Sequence, residues 1–219
     1  MATKSKFTEA GRLESYRVAL ENIESQEEIA AAMAELSYDT VKIKEGKNLL
    51  AQTRNTYDQS KEGNDKKAAV YAEFDAIKKQ LREIYIIHRK KARIVFKNDE
   101  TTADRLAISS TIPRAYVKWL ENMEKFYTEV KEDTSIQTKI ERLKISQNDV
   151  NNAQSLIQQM QAARVSYIRK RGEAQEATKE KNKALAEMDK FMSEVYAVAR
   201  IALKDKPQLL EALGKIVKS

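Results

Sequence analysis

His88 is the only histidine in a chain without cysteine, so it is the one side chain suited to exchange a proton near neutral pH. Its neighbours at helical spacing are Ile84 and Ala92, which set it on an apolar seam. A semi-buried structural histidine is therefore expected there, with a general base or a ligand as the competing reading. A di-iron carboxylate bundle needs Glu-x-x-His pairs on facing helices, but the residue three before His88 is Tyr85 and no second histidine exists. The five glycines, at 11, 46, 63, 172 and 214, are too scattered for a phosphate-cradling loop. No G-x-S-x-G elbow occurs, and the usual nucleophile pairings lack their cysteine or histidine. Carboxylates are plentiful, but nothing singles out a pair. No catalytic residue, cofactor site, metal site or small-molecule substrate is expected.

Basic residues offer a different chemistry. Arg89, Arg93 and Lys97 recur every four residues, preceded by Lys79 and Arg82 along much the same face, and Arg169, Lys170 and Arg171 form a second group. Such a face can track phosphates in a nucleic acid or an anionic membrane. It is equally the solvated side that packed helices need, and Glu62, Asp65, Glu83, Glu173, Glu176 and Glu180 stand nearby. A formal net charge of +7, from 40 basic and 33 acidic residues, adds only a modest bias towards anionic partners. Near the end, Leu209, Leu210 and Leu213 lie to one side of a short segment opened by Pro207 and closed by Gly214. That segment covers a bundle end or docks on a partner.

The elements that must carry these residues are helices. Five glycines and two prolines among 219 residues, with 42% hydrophobic and 33% charged content, describe an all-α chain able to bury a core. No apolar run approaches the roughly 18–20 residues of a membrane-spanning helix, and "MATKSKFTEAG" lacks a signal-peptide core, so a cytoplasmic location is expected.

Leu13, Tyr16, Leu20 and Ile23 step by three and four along a first helix. Ser25 and Glu28 form a capping box for a short second one, with Ile29, Met33 and Leu36 as its buried face. Asp39 caps a third that runs to about Lys97, through Gly63, with its seam still in phase. After the irregular stretch "NDETTADRLAISSTI", Pro113 opens the next helix, whose stripe is Tyr116, Leu120, Met123, Tyr127 and Val130. Ile136, Ile140 and Leu143 make another short helix, and Ser146 caps a second long one.

"ARIVFKND" at Ala92 is echoed by "ARIALKDK" at Ala199, and the offset from Ala92 to Ala199 also aligns Leu13 with Leu120, Ile29 with Ile136 and cap Asp39 with cap Ser146. Only 11 of the 92 positions from Thr8 to Asp99 are identical, so the aligned interruptions carry the argument. The expected architecture is a tandem duplication: a first helical repeat at 8–99, a second at 113–206 and a short helix at 207–214, all intertwined in one domain. Its two long helices would form an elongated antiparallel coiled coil with a four-helix-bundle lobe at each end and a pseudo-twofold between the repeats. A compact bundle folded at Gly63 and Gly172 is the competing shape. The expected function is a non-enzymatic scaffold or assembly protein that binds another protein or a second copy of itself. The alternative is a peripheral binder of an anionic membrane surface or nucleic acid through the basic helix faces.

Overall fold

The computed structural model describes residues 8–214, and among them every regular element is helical, with no strand. Seven α-helices follow in the order α1 (Glu9–Ser25), α2 (Glu27–Ala34), α3 (Thr40–Val95), α4 (Glu100–Arg105), α5 (Tyr116–Glu132), α6 (Thr134–Glu141) and α7 (Gln147–Ala202), and a 3₁₀ helix closes the series at Pro207–Leu213. Both long helices, of 56 residues each, pass through Gly63 and Gly172 without a break. The chain divides into two compact units: unit 1 is Met1–Asn64 with Glu173–Ser219, and unit 2 is Asp65–Gly172. Helices α3 and α7 therefore supply residues to both.

Unit 1 closes around Leu20, Ile23, Ile29, Met33, Met192 and Val195, all essentially inaccessible. Each such side chain stabilises by about 1.5–3 kcal/mol relative to exposure. Where α3 meets α7 in this unit the interface turns polar. Thr53 donates to the carbonyls of Leu49 at 2.8 Å and Ala184 at 3.4 Å, and Ser60 lies 3.4 Å from Thr178. These pairings run later residues of α3 against earlier residues of α7, so within unit 1 the two helices are antiparallel. A Cβ at Gly63 would stand 3.6 Å from the Ala174 backbone, so small residues let the helices approach there. Two polar pairs tie α1 down: Arg12 to Asp189 at 2.7 Å, and the Tyr16 hydroxyl donating to Asp189 at 3.0 Å.

Unit 2 has a more aromatic interior. Tyr85, Phe126 and Tyr127 are fully buried, with Phe126 and Tyr127 edge to face at 5.0 Å. Phe74 stacks on Tyr167 at 6.2 Å, and Arg164 sits 3.7 Å over the Tyr116 ring. Edge-to-face and cation–π geometries of this kind add to simple area burial.

Caps set the helix limits. Thr8 accepts from the Gly11 N–H at 3.1 Å, Asp39 from Lys42 at 3.0 Å and Asp133 from Ile136 at 3.1 Å. At α7 the box is reciprocal: the Asp149 N–H donates to the Ser146 hydroxyl at 3.2 Å, and the Ser146 N–H donates to the Asp149 carboxylate at 2.8 Å. Other starts differ from the sequence reading. Ser25 is the last residue of α1 and caps nothing; the single extended residue Gln26 separates α1 from α2 and offers no side-chain cap. Pro113 lies three residues before α5, whose N-cap is Ala115. Leu36 follows the end of α2, in a turn closed by Ser37 at φ 66°, and is 40% exposed rather than buried. Tyr71 of α3 is 47% exposed. Pro207 and Gly214 bound the last helix as expected, Gly214 at φ 73° in the left-handed region that glycine enters without cost.

Candidate functional site

His88 lies on the α3 seam and is buried, with Nδ1 3.1 Å from the Tyr127 hydroxyl of α5. Burial pushes its pKa down; the Asp149 carboxylate works against that shift and the Lys91 ammonium adds to it. The imidazole is thus held neutral inside a packed core. No helix among the described residues is long and apolar enough to cross a membrane, and none of them form a group of three or more His, Cys, Asp or Glu side chains able to hold a metal ion.

Arg89, expected on the solvated basic face, is buried. Its guanidinium donates to the carbonyl oxygens of Ile108, at 2.9 Å, and Ser110, fastening the connection after α4 onto α3. One residue after His88 on a helix already turned inward, it cannot reach a surface ligand. Arg93 and Lys97 are exposed as expected, and both belong to unit 2. Arg169 and Arg171 are also exposed and Lys170 is half-buried, next to Gly172 where unit 2's chain segment ends.

Other cations lie beside the last turns of α3. Lys91 donates to the Lys144 carbonyl at 3.2 Å, and the Lys139 ammonium sits 5.7 Å from the centre of the Phe96 ring. The α6 segment carrying Lys139, Arg142 and Lys144 therefore lies against the last turns of α3. Sequence reasoning missed this half of the basic surface because the two segments are far apart along the chain. Only the packing of α6 on α3 unites them.

Leu209, Leu210 and Leu213 are not a free docking face. Leu213 is 1% exposed, and Leu209 and Leu210 pack partly buried on the unit 1 core. The Asn22 side chain pins this segment to α1 by donating to the Ala212 carbonyl at 2.6 Å.

Three open grooves are found among the described residues: one of about 280 Å³ lies in unit 1 beside Ile23, Ala30 and Ile43, and the other two, one in each unit, occupy matching places. In unit 1 a groove of about 480 Å³ runs between α1 and α3, with Leu13, Leu50 and Ala51 as its apolar floor and Arg17, Glu21 and Arg54 on its rim. Arg17 is held between Glu14 and Glu21, at 2.6 Å from each. In unit 2 a groove of about 320 Å³ runs between α5 and α7, with Ile157 at its floor and Glu124, Lys131, Gln154 and Gln161 around it. There Lys131 donates to Gln154 at 2.9 Å and Gln161 to Glu124 at 2.8 Å. Six lining positions of the first groove, 17, 21, 47, 50, 51 and 54, recur in the second at 124, 128, 154, 157, 158 and 161, each displaced by the offset that relates Ala92 to Ala199. The sequence signal was present in that offset, but concavity between particular helices is not visible in one dimension.

No protein-family model matches this chain, and neither a curated protein nor a solved structure matches it.

Proposed function

We propose that this chain is a non-catalytic helical scaffold, assembled from a duplicated segment, that binds protein partners through the equivalent grooves of its two units. The recurrence of the groove carries the reading: the same six helix positions line an open, apolar-floored cleft in each unit. A cleft between two helices with a charged or amide-rich rim suits a partner helix that lays an apolar stripe on the floor and polar residues against the rim. The rims differ, charged in unit 1 and amide-rich in unit 2, which suits two different partner segments.

Duplication is supported by the helix limits. One constant offset carries both ends of α1, α2 and α3 onto those of α5, α6 and α7, and carries Glu100, where α4 begins, onto Pro207. The positive-φ residues Ser37 and Lys144 keep the same spacing, as do Ala107 and Gly214. Side-chain periodicity alone would not align interruptions.

A photo-crosslinking amino acid at Ala51 or at Gln158, both exposed groove residues, tests the proposal in the native host. Discrete adducts from both positions are expected, and none from the same group at Ala186, an exposed site on α7 outside either groove. Adducts only at twice the chain mass, with matching dimer mass in light scattering, assign the grooves to self-assembly. Absence of any adduct at both positions removes the proposal.

A further inference from the structure

We infer that the outer face of the last turns of α3, with the α6 segment beside it, is a docking surface for an anionic phospholipid bilayer. The basic excess of the protein is confined to one unit. Residues 65–172 hold 22 Lys and Arg against 14 Asp and Glu, a net +8, and the remaining residues hold 18 against 19, a net −1. Within unit 2 the charge is concentrated further. From Ile84 to Asn98 there is no acidic residue, and Lys90, Lys91, Arg93 and Lys97 fall inside that stretch. The contacts of Lys91 with Lys144 and of Lys139 with Phe96 add Lys139, Arg142 and Lys144 to the same end of the unit. Glu83, one turn before the stripe, Glu100, three residues after Lys97, and Glu141, between Lys139 and Arg142, are acidic neighbours, and the seven Lys and Arg named here outnumber them. Asp99 and Asp149 are engaged in capping α4 and α7.

The identity of the partner follows from what stands between the lysines. Ile87, Lys90, Ile94 and Lys97 are spaced three, four and three, so they share one stripe of α3, opposite the seam that buries His88 and Ala92. Ile87 is 54% exposed and Ile94 70% exposed. A nucleic-acid backbone takes the lysines but has no use for two branched alkyl groups, and the stripe offers no aromatic ring for a base to stack on. A bilayer surface takes both: alkyl groups enter the boundary between headgroups and acyl chains, and ammonium groups stay among the lipid phosphates. The equivalent positions of the other repeat supply a contrast within the molecule. Lys90 and Lys91 correspond to Ala197 and Val198, and Lys139, Arg142 and Lys144 to Ala32, Glu35 and Ser37, so unit 1 keeps the helices without the charge. This inference stands apart from the grooves, and neither depends on the other.

Co-sedimentation of the full chain with phosphatidylcholine vesicles, with and without about 30 mol% phosphatidylserine, tests it. Binding to the anionic vesicles alone is expected at about 0.1 M salt, and its loss at about 0.5 M, where the Debye length has roughly halved. The triple variant Lys90→Gln, Arg93→Gln, Lys97→Gln should lower the partition coefficient on the order of a hundredfold, from about tenfold or less per charge. The triple variant Lys179→Gln, Lys183→Gln, Lys190→Gln removes the same charge from exposed positions of unit 1 and should stay within about twofold of wild type. Ile87→Ser with Ile94→Ser should weaken binding about tenfold while leaving the salt dependence unchanged, which a purely polyanionic contact cannot reproduce. Unchanged far-UV circular dichroism in each variant separates lost binding from lost fold. Failure of wild type to sediment with anionic vesicles overturns the inference. So does equal loss in the unit 1 variant, or binding to duplex DNA alone with no effect of the isoleucine pair.

Discussion

Protonating His88 places a charge inside the unit 2 core, where the Tyr127 hydroxyl is its hydrogen-bond partner and desolvation opposes the imidazolium. Its pKa in the folded chain therefore lies below the unfolded value of about 6.5. Between those two values the unfolded chain binds more protons than the folded one, so stability is complete above the unfolded value and is lost as pH falls through the folded one. Asp99, Asp133 and Asp149 are held below the usual carboxylate range by their capping hydrogen bonds, so they stay charged through this window and act only at lower pH. Urea midpoints measured at about pH 7.5 and about pH 5.5 should fall for wild type and stay level for His88→Gln, which keeps a polar partner for Tyr127 but does not titrate. An equal fall in both proteins assigns the acid sensitivity elsewhere. The seam position of His88 was legible from Ile84 and Ala92 at helical spacing. The burial of Arg89 was not, because its acceptors belong to the connection after α4, whose path no periodicity describes.

At the scale of the element, caps separate what was readable from what was not. Asp39 and Ser146 stand directly before long apolar seams, and both accept the capping bonds that their types and positions implied. Ser25 offers a capping pattern too, with Glu28 three residues on, yet α1 runs to Ser25 and ends there; the turn between α1 and α2 is dictated by packing of Ile23 and Ile29 into one core. Glycines inside helices carry a matching lesson. Gly172 is exposed in α7 and nothing lies within 4 Å of an added Cβ, so Gly172→Ala should raise stability by about 0.5–1 kcal/mol, the helix-propensity difference. Gly46 in α3 is different: an added Cβ would stand 2.8 Å from Phe191 Cζ and 3.2 Å from Leu20, with Lys42 over the Phe191 ring at 5.7 Å. Overpacking of about 1–3 kcal/mol then outweighs the propensity gain, so Gly46→Ala should lower the urea midpoint. The equivalent positions of the other repeat exchange the sizes, Ala153 for Gly46 and Ile84 for Phe191. Adding Phe191→Ile to Gly46→Ala should recover most of the loss, a coupling that a double-mutant cycle measures. Additive losses remove this size-exchange account.

For the whole molecule, the helical class was legible because composition and periodicity agree along the entire chain. The division into units was not, because each unit draws on two distant stretches of sequence and their assignment depends on which halves of α3 and α7 pack with which short helices. The division has a consequence for unfolding. The hydrophobic clusters of the units share no residue, so a cavity in one core removes contacts from that unit only. Leu20 is fully buried in unit 1, and the single tryptophan, Trp119, is 4% exposed in the core of unit 2. Leu20→Ala should cost about 2–5 kcal/mol, which for a unit of this size lowers its melting temperature by about 10 °C or more. Far-UV circular dichroism, which sees the helices of both units, should then resolve into two steps, and Trp119 fluorescence should follow only the upper one, unshifted from wild type. Helices α3 and α7 cross from one unit to the other, so melting could instead propagate along them. In that case both probes shift together in a single transition, and the units are one cooperative body despite their separate cores.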